Sequence, residues 1–390
     1  MAMKNIQSPN LRFPEFANEW VISNVGEEAS VTTGSRDTQN RREDGKYPFF
    51  VRSNKIERIN SWELDCEAVL TSGDGVGVGK NVHYVNGKFD FHQRVYAIYR
   101  FSCNLNGKYF YQYFKERFFK RVMRLSAKNS VDSVRMSMIT DMTICLPSIP
   151  EQNKIADFLS SVDLKIDLLE RKKQLLDSYK IGCMQKLFSQ EVRFKTDKGQ
   201  DFPQSKMGTF GSVVSIYDGT HQTPQYVEEG IPFYSVEQVT ANNYVDTKFV
   251  TKDAYDKEHG RIFIEKDDIL MTRIGDIGTC RLIDWDVKAA FYVSLALLKV
   301  KKGAYPSFVN QFIKSDFFQR ELWMRTIHAA FPKKINLGEI EHCRFRIPHL
   351  DEQRKIGDFL SAIDQKRELV AIELEKAKAF KKGLLQQMFV

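Results

Sequence analysis

The sequence predicts an α+β protein in which two small mixed-sheet domains are separated by two long antiparallel, coiled-coil-like helices, with a pseudo-two-fold internal repeat. Three observations support this fold class. Residues 147–163 read PSIPEQNKIADFLSSVD and residues 348–364 read PHLDEQRKIGDFLSAID, with ten of the 17 positions identical. An apolar heptad pattern continues beyond each copy. The segments before the two copies contain short β-branched and aromatic runs, which are typical of strands.

Length and composition fit two globular domains. The chain has 390 residues, 42% of them hydrophobic and 12% aromatic, which is enough apolar surface for two cores. A net charge of +8 favours binding to polyanions such as nucleic acids. The six cysteines form no CxxC pair, so neither a zinc site nor a disulfide framework is indicated. No signal peptide or membrane span is apparent, so we expect a cytoplasmic protein without membrane contact.

The repeat also predicts where the domains begin and end. The offset of 201 residues continues without a gap to the ends of both copies, where Gly182 and Phe188 match Gly383 and Phe389. Upstream the similarity decays, which indicates that the globular parts have diverged. We therefore predict a first recognition domain at 1–145, a first long helix at 146–190, a second recognition domain at 191–346 and a second long helix at 347–390.

Both long helices must bury one apolar face. About 38 residues at roughly 1.5 Å each make a rod of about 57 Å, far longer than an average globular helix. A single amphipathic helix is usually an ordinary core helix, but the duplication favours two equal rods lying side by side. The predicted partner-helix interface comprises Ile155, Leu159, Val162, Leu169, Leu176, Ile356, Leu360, Ile363, Val370 and Leu374.

Glycine-rich, basic and amide-rich segments are candidates for nucleic-acid contact. Two glycine-rich loops, Ser72–Lys80 and Arg273–Arg281, each follow a predicted strand. Asp74 and Asn81 stand where a phosphate-binding P-loop needs Gly and Ser or Thr, so a nucleotide loop is excluded. Each segment alone is also compatible with a structural turn or a solvated loop. The candidate DNA-binding residues are Arg36, Arg41, Arg42, Lys80, Arg94, His221, Gln222, Arg273, Arg281, Lys333 and Lys334. Further basic or amide-rich stretches include Arg121–Arg135 and Phe331–Asn336.

The sequence contains no recognisable catalytic motif. It has no D/N/S-P-P-Y/F/W motif of an amino-methyltransferase, no HExxH metal motif and no GxSxG nucleophile motif. We therefore predict no catalytic residue and no metal ligand. A nuclease site built from scattered acidic residues and lysines remains compatible with the pattern.

The duplicated segment P-x-x-x-E-Q-x-K-I-x-D-F-L-S-x-x-D, placed after each of two divergent domains, resembles the specificity subunit of bacterial type I restriction-modification systems. The resemblance covers the whole chain. It implies a non-catalytic subunit whose two domains each read one half of a split double-stranded DNA target. It also implies helices that dock two methyltransferase subunits, which in turn recruit the restriction and translocase subunits. The cofactors S-adenosylmethionine, Mg²⁺ and ATP would then belong to the partners, and this chain would hold none.

Two alternatives remain open from the sequence. One is an autonomous DNA-binding or DNA-cleaving protein with the same two-domain layout. The other is a coiled-coil scaffold unrelated to DNA.

Overall fold

A computed structural model describes residues 9–75, 77–125, 133–258 and 262–389. The chain forms two compact units: unit 1 comprises Met1–Glu170 with Ile372–Val390, and unit 2 comprises Arg171–Ala371. Both boundaries fall inside long helices, which are α4 (Ile149–Ser189) and α10 (Leu350–Met388). Each unit therefore contains the first part of one long helix and the last part of the other. The domain limits inferred from the sequence stay a prediction.

Unit 1 contains a mixed sheet and three shorter helices before α4. Its strands are β1 (Val21–Asn24), β2 (Ser30–Thr33), β3 (Tyr47–Phe50), β4 (Glu57–Ile59), β5 (Leu64–Ser72), β6 (Val82–Phe91), β7 (Val95–Tyr99) and β8 (Thr143–Leu146). The helices are α1 (Val25–Glu28), α2 (Gly107–Leu125) and α3 (Met136–Thr140).

The main sheet of unit 1 has six strands in the order β2-β7-β5-β6-β3-β4, and β1 pairs separately with β8. Strands β3 and β6 run parallel, with Phe49 opposite Asp90, and the other neighbours are antiparallel. Helix α2 contributes Tyr109, Phe110, Phe114 and Phe118 to the core. Their spacing of one, four and four residues places these rings on one face of the helix, which is why α2 packs on the sheet.

Unit 2 repeats this plan with one broken strand. Its strands are β9 (Lys206–Thr209), β10 (Val214–Asp218), β11 (Tyr226–Val227), β12 (Ile231–Tyr234), β13 (Lys248–Val250), β14 (Ile269–Ile274), β15 (Asp276–Leu282), β16 (Ala290–Phe291), β17 (Leu295–Val300) and β18 (Arg344–Ile347). Its helices before α10 are α5 (Val236–Ala241), α6 (Lys252–Glu258), α7 (Pro306–Ile313), α8 (Asp316–Arg325) and α9 (Leu337–Glu341).

In unit 2 the strands form two four-stranded sheets and one two-stranded pair. The orders are β10-β17-β14-β15, β11-β13-β12-β16 and β18-β9. The parallel pair is again present, since Phe233 of β12 lies opposite Ala290 of β16. Where unit 1 has one strand of ten residues, β6, unit 2 has the separate strands β15 and β16. The α+β class with mixed sheets is therefore confirmed.

The two long helices pair antiparallel within each unit. In unit 1, Ile155 and Leu159 of α4 share an apolar cluster with Leu384 and Met388 of α10. In unit 2, Leu187 of α4 shares a cluster with Ile356, Leu360 and Ile363 of α10. The start of each helix thus packs with the end of the other, which confirms the predicted antiparallel arrangement.

Lysine–aspartate pairs occupy the seam between the helices. In unit 2, the Lys180 ammonium lies 2.6 Å from both carboxylate oxygens of Asp364, and the lysine side chain is only 8% exposed. The amide of Gln311 donates to the same carboxylate at 2.8 Å. Burial pushes the pKa of Asp364 upward, but the hydrogen bonds from Lys180 and Gln311 outweigh it and the pKa is lowered. The carboxylate is therefore charged at neutral pH.

Unit 1 contains an equivalent lysine–aspartate pair at positions related by the repeat. Lys381 pairs with Asp163, and the amide of Gln112 donates to Asp163 at 2.8 Å. Adding 201 to 163 gives 364, and adding 201 to 180 gives 381. The aspartate of one pair therefore corresponds to the aspartate of the other, and the same holds for the two lysines.

We predict that Lys180→Ala destabilises unit 2, because the half-buried Asp364 would lose the ammonium that contacts both of its oxygens and keep only Gln311 and Arg367 as partners. A hydrogen bond to a charged group typically contributes about 1.5–3 kcal/mol. The midpoint of urea unfolding of the full chain, followed by tryptophan fluorescence, should fall accordingly. The control is Lys165→Ala, whose pair with Glu373 in unit 1 is exposed on both sides and is worth about 0–1 kcal/mol. Equal midpoints for the two variants would contradict a special role of the buried pair.

Candidate nucleic-acid interface

The repeated motif at the start of each long helix is used inside the chain. The buried Glu151 carboxylate receives two hydrogen bonds from Arg12, at 2.7 and 2.8 Å. Glu352 receives two from Arg193, at 3.0 and 2.7 Å. Such two-point pairing fixes geometry as well as charge. The motif therefore fastens the opening segment of each globular part to its helix.

The neighbouring glutamines bind the segments that adjoin the start of each long helix. The amide of Gln152 donates to the carbonyl of Pro147 at 2.9 Å, and that of Gln353 donates to the carbonyl of Pro348 at 3.0 Å. The carbonyl oxygens of the two side chains accept from the backbone N–H groups of Asn106 and Tyr305 respectively. Both glutamines are buried, so the most specific sequence signal describes internal packing and not a surface for DNA.

Loops from distant parts of the sequence meet beyond the ends of strands β2, β5 and β6 in unit 1. We call residues 34–42, 73–75, 91–94 and 133–135 loop cluster 1. The backbone N–H of Gln93 donates to the Arg36 carbonyl at 2.8 Å, and that of Gly73 donates to the Arg94 carbonyl at 2.7 Å. The N–H of Val134 in turn donates to the Gly73 carbonyl at 2.7 Å. These bonds hold four chain segments together.

Unit 2 builds the same arrangement, which we call loop cluster 2. It comprises residues 219–222, 273–275, 291–294 and 327–335. The N–H of Val293 donates to the Thr220 carbonyl at 3.0 Å, and that of Arg273 donates to the Ser294 carbonyl at 2.9 Å. The N–H of Ile335 donates to the Arg273 carbonyl at 3.0 Å. Each of the three bonds given for loop cluster 1 thus has a counterpart in loop cluster 2.

One glycine in each cluster is required by the close approach of the loops. A Cβ atom on Gly34 would lie 2.0 Å from the carbonyl oxygen of Phe91, and one on Gly219 would lie 2.1 Å from that of Phe291. Real Cβ atoms do not approach backbone oxygens so closely, so any side chain would force the loops apart. These two glycines are therefore required by the loop geometry that the two clusters share.

Loop cluster 1 presents arginines to solvent. Arg41, Arg42 and Arg94 are exposed, and Arg36 is half-buried with its Nε atom 3.3 Å from the buried Asp90. The exposed Arg52, which the sequence patterns did not indicate, lies 3.2 Å from Asp74. The Arg94 guanidinium is 3.8 Å from the same carboxylate. Asp74 therefore positions two guanidinium groups at the glycine turn.

Lys80 and the stretch Arg121–Arg135 are placed differently. Lys80 is exposed further along the glycine turn, with its ammonium 4.8 Å from the centre of the Phe119 ring. Arg121 donates to the backbone carbonyls of Met138 and Asp141. Residues 126–132 of that stretch lie outside the described residues.

Loop cluster 2 exposes a different set of side chains. His221, Gln222, Lys333 and Lys334 are exposed, and the His221 ring nitrogen lies 2.7 Å from Asp218. His221 and Gln222 adjoin an open groove of about 520 Å³, which is lined by Asp218, Gly219, Thr220, His221, Gln222, Ile262 and Phe291. Loop cluster 2 has fewer arginines than loop cluster 1, and it exposes two lysines and the imidazole rings of His221 and His328 instead.

Two arginines predicted from the second glycine-rich loop lie within strands. Arg273 belongs to β14 and its side chain is only 9% exposed, with a guanidinium nitrogen 3.7 Å from Asp218. Burial lowers the pKa of the Arg273 guanidinium, and the Asp218 carboxylate partly opposes this. Arg281 belongs to β15 and is half-buried. Their roles in DNA binding stay predictions.

The residues predicted for the partner-helix interface are covered by the chain itself. Within their own units eight of them are buried, while Val162 and Leu176 are half-buried. The outer face of α4 is different, since Leu164, Leu168, Leu175 and Tyr179 are all exposed. The spacing of four residues within each pair, Leu164 with Leu168 in unit 1 and Leu175 with Tyr179 in unit 2, places both pairs on the side of the helix opposite the seam. We call these four residues the outer stripe.

The equivalent positions of α10 carry Gln365, Leu369, Lys376 and Phe380, so two of the four are apolar. Among the described residues, no cluster of three or more His, Cys, Asp or Glu is placed to hold a metal ion. Over the same residues, no helix is long and apolar enough to cross a membrane.

Comparison with known proteins identifies the family. The fold and the paired loop clusters define a protein with two similarly built units. A family model described as the type I restriction modification DNA specificity domain matches residues 17–178 and again residues 211–379. Together the two matches cover most of the chain, so the chain belongs to the type I restriction-modification DNA specificity family.

Curated relatives agree with this assignment. The specificity subunit of the type I restriction enzyme EcoDI from Escherichia coli is 27% identical over 196 residues, which are 48% of this chain and 43% of the relative. The MjaVIII specificity subunit from Methanocaldococcus jannaschii is 24% identical over 284 residues, which are 70% of this chain and 66% of the relative. The matches thus span less than two thirds of the length of these relatives.

Solved structures show the same fold. The S subunit of a type I restriction-modification system from M. genitalium has a TM-score of 0.73 at 20% identity, covering 98% of this chain and 99% of that one. A chain from a structural study of the assembly and conformational transition of the type I system has a TM-score of 0.50 at 14% identity, covering 96% and 98%.

We predict opposite effects for Arg94→Ala and Arg273→Ala. Arg94 is exposed, so its loss should weaken binding of the full chain to duplex DNA and reduce the salt slope of binding by about 1, with unchanged thermal unfolding. Arg273 is buried, so its loss should lower the unfolding temperature and leave the salt slope unchanged. DNA titrations at several salt concentrations and thermal unfolding of both variants provide the measurements. A reduced slope for Arg273→Ala alone would show that the buried arginine is the one that contacts DNA.

Proposed function

We propose that this chain is the non-catalytic, DNA-reading subunit of a type I restriction-modification complex. The observation that carries the proposal is the pair of loop clusters, which share their backbone hydrogen bonds and differ in their exposed side chains. Fixed backbone geometry with variable side chains suits a reader of sequence, because base edges are distinguished by side-chain donors and acceptors. Family membership supports the same role.

Each loop cluster reads one half of a bipartite double-stranded DNA target. Loop cluster 1 offers arginines, whose two-point hydrogen bonds suit guanine, and loop cluster 2 offers Gln222 and His221 beside two lysines. Because the exposed side chains differ, we expect the two half-sites to differ in sequence. Lys333 and Lys334 would contact phosphates and set the position of the domain on the duplex.

The outer stripe of α4 and the equivalent positions of α10 dock two methyltransferase subunits. Exposed apolar side chains on a helix favour burial against a partner, and the seam residues are already covered within the chain. The restriction and translocase subunits would join through the methyltransferase. In this proposal S-adenosylmethionine, Mg²⁺ and ATP bind to those partners and this chain holds no cofactor.

We predict that exchanging residues 191–346 for the corresponding segment of another specificity subunit changes one half of the DNA target and leaves the other half unchanged. The chain is co-expressed with its methyltransferase subunits, and N6-methyladenine is mapped across the genome for the parent and the chimaera. The parent map gives the target itself. Alteration of both half-sites would refute independent reading, and methylation or cleavage by the purified chain alone would refute its non-catalytic role.

We predict that Leu175→Asp reduces co-purification of the methyltransferase with the chain by at least about tenfold, since a charge in a desolvated apolar contact costs more than the roughly 1.4 kcal/mol of a tenfold change. The unfolding temperature should be unchanged because Leu175 is exposed. The matched control is Gln174→Asp. It places the same charge on the exposed residue that directly precedes Leu175 in α4 and lies outside the outer stripe. Equal co-purification of both variants would place methyltransferase docking elsewhere.

A further inference from the structure

A fully exposed aromatic ring lies at the tip of the last loop of loop cluster 2. The relative exposure of Phe331 is 103%, which is the exposure of a residue with no neighbours around its side chain. Its loop is closed at the base by Ile327, whose N–H donates to the Lys334 carbonyl at 2.8 Å. Burying such a ring would stabilise the fold by about 1.5–3 kcal/mol, and this stabilisation is lost while the ring is exposed. The loop therefore holds an apolar group in water at a defined place.

The base of this loop is tied to the glycine turn of the candidate interface. Lys334 forms β-bridges with both Ile274 and Ile327, and the N–H of Gly275 donates to the Lys333 carbonyl at 2.8 Å. The other large ring near the loop, Trp323, is already engaged with His328 at a centroid distance of 4.8 Å. Phe331 is thus held on a braced loop beside the residues that we propose to contact DNA.

The charges that flank the ring indicate the kind of surface it meets. Lys333 and Lys334 are both exposed, and only Pro332 separates them from Phe331 in the chain. An apolar ring followed by two cations fits a groove of duplex DNA, where stacked bases lie between two rows of phosphates. Proteins that bend DNA use this combination, with a Phe, Leu, Ile, Met or Pro wedge between base pairs and cations on the backbone.

We propose that Phe331 acts as a wedge that partly separates two stacked base pairs in the half-site contacted by unit 2. The proposal rests on the proposed function, because it requires loop cluster 2 to face DNA. The ring would gain burial against the base faces, and Lys333 and Lys334 would hold the phosphates on either side. Sequence discrimination would then include the ease of unstacking one base step, in addition to contacts with base edges.

The test uses the complex of the full chain with its methyltransferase and a duplex carrying the mapped target. Adenines along both half-sites are replaced one at a time by 2-aminopurine, whose fluorescence rises when its stacking is lost. The methyltransferase flips the adenines that it methylates out of the stack, so those positions brighten in every variant and are left out of the comparison. At the remaining positions we expect a rise at one step of the half-site contacted by unit 2 only. Phe331→Ala should abolish the rise and weaken binding about tenfold, with an unchanged salt slope because no charge is removed. Phe331→Leu, which keeps an apolar wedge, should retain part of both effects.

The matched control is Val245→Ala, which removes another apolar side chain of unit 2 that is 90% exposed and lies outside loop cluster 2. It should behave as the parent chain. If the parent binds its target specifically but none of the positions outside the methylated adenines brightens and Phe331→Ala binds normally, the wedge is wrong and the proposed function stands. If Phe331→Ala instead lowers methyltransferase co-purification without DNA, the ring contacts protein and the wedge is again wrong. If the parent shows no preference for the mapped duplex, both proposals fail.

Discussion

The whole chain depends on covering the apolar seams of two helices that are too long to be covered by one small domain. Helix α4 has 41 residues and α10 has 39, and most of the stability of a helix in a protein comes from packing its apolar face. Here each seam is divided, with its first part packed in one unit and its last part in the other. The globular parts, the helix starts and the seam pairs all follow from this requirement.

Antiparallel pairing needs more than apolar surface, because a uniform seam could also slide. The pairs Lys180–Asp364 and Lys381–Asp163 sit at seam positions where a shifted register would bury an unpaired charge. Charged pairs of this kind add little net stability, but they penalise the alternatives strongly. The lysine and the aspartate each occur once in each copy of the repeat. The same pair of residue types therefore fixes the helix register in both units.

The sequence was sufficient for the helices and the fold class, because the heptad spacing and a repeat without gaps can be read directly from the order of the residues. It was insufficient for the loop clusters, since residues such as Gly34, Gly73 and Val134 meet only through the sheet. Arg273 shows the limit most clearly. A basic residue beside glycines suggests a surface contact, but its position in β14 buries it, and burial depends on the strands around it. Arg52 was missed for the converse reason, because only the fold brings it to Asp74.

The division of each helix between two units also affects how the protein is made. Unit 1 includes Ile372–Val390, and Leu384, Met388 and Phe389 lie in its main apolar cluster. A ribosome releases these residues only after the whole of unit 2 has been synthesised. The core of unit 1 therefore stays incomplete while unit 2 emerges from the ribosome. A premature stop shortly before residue 372 would leave unit 1 incomplete, although its own globular segment had been fully translated.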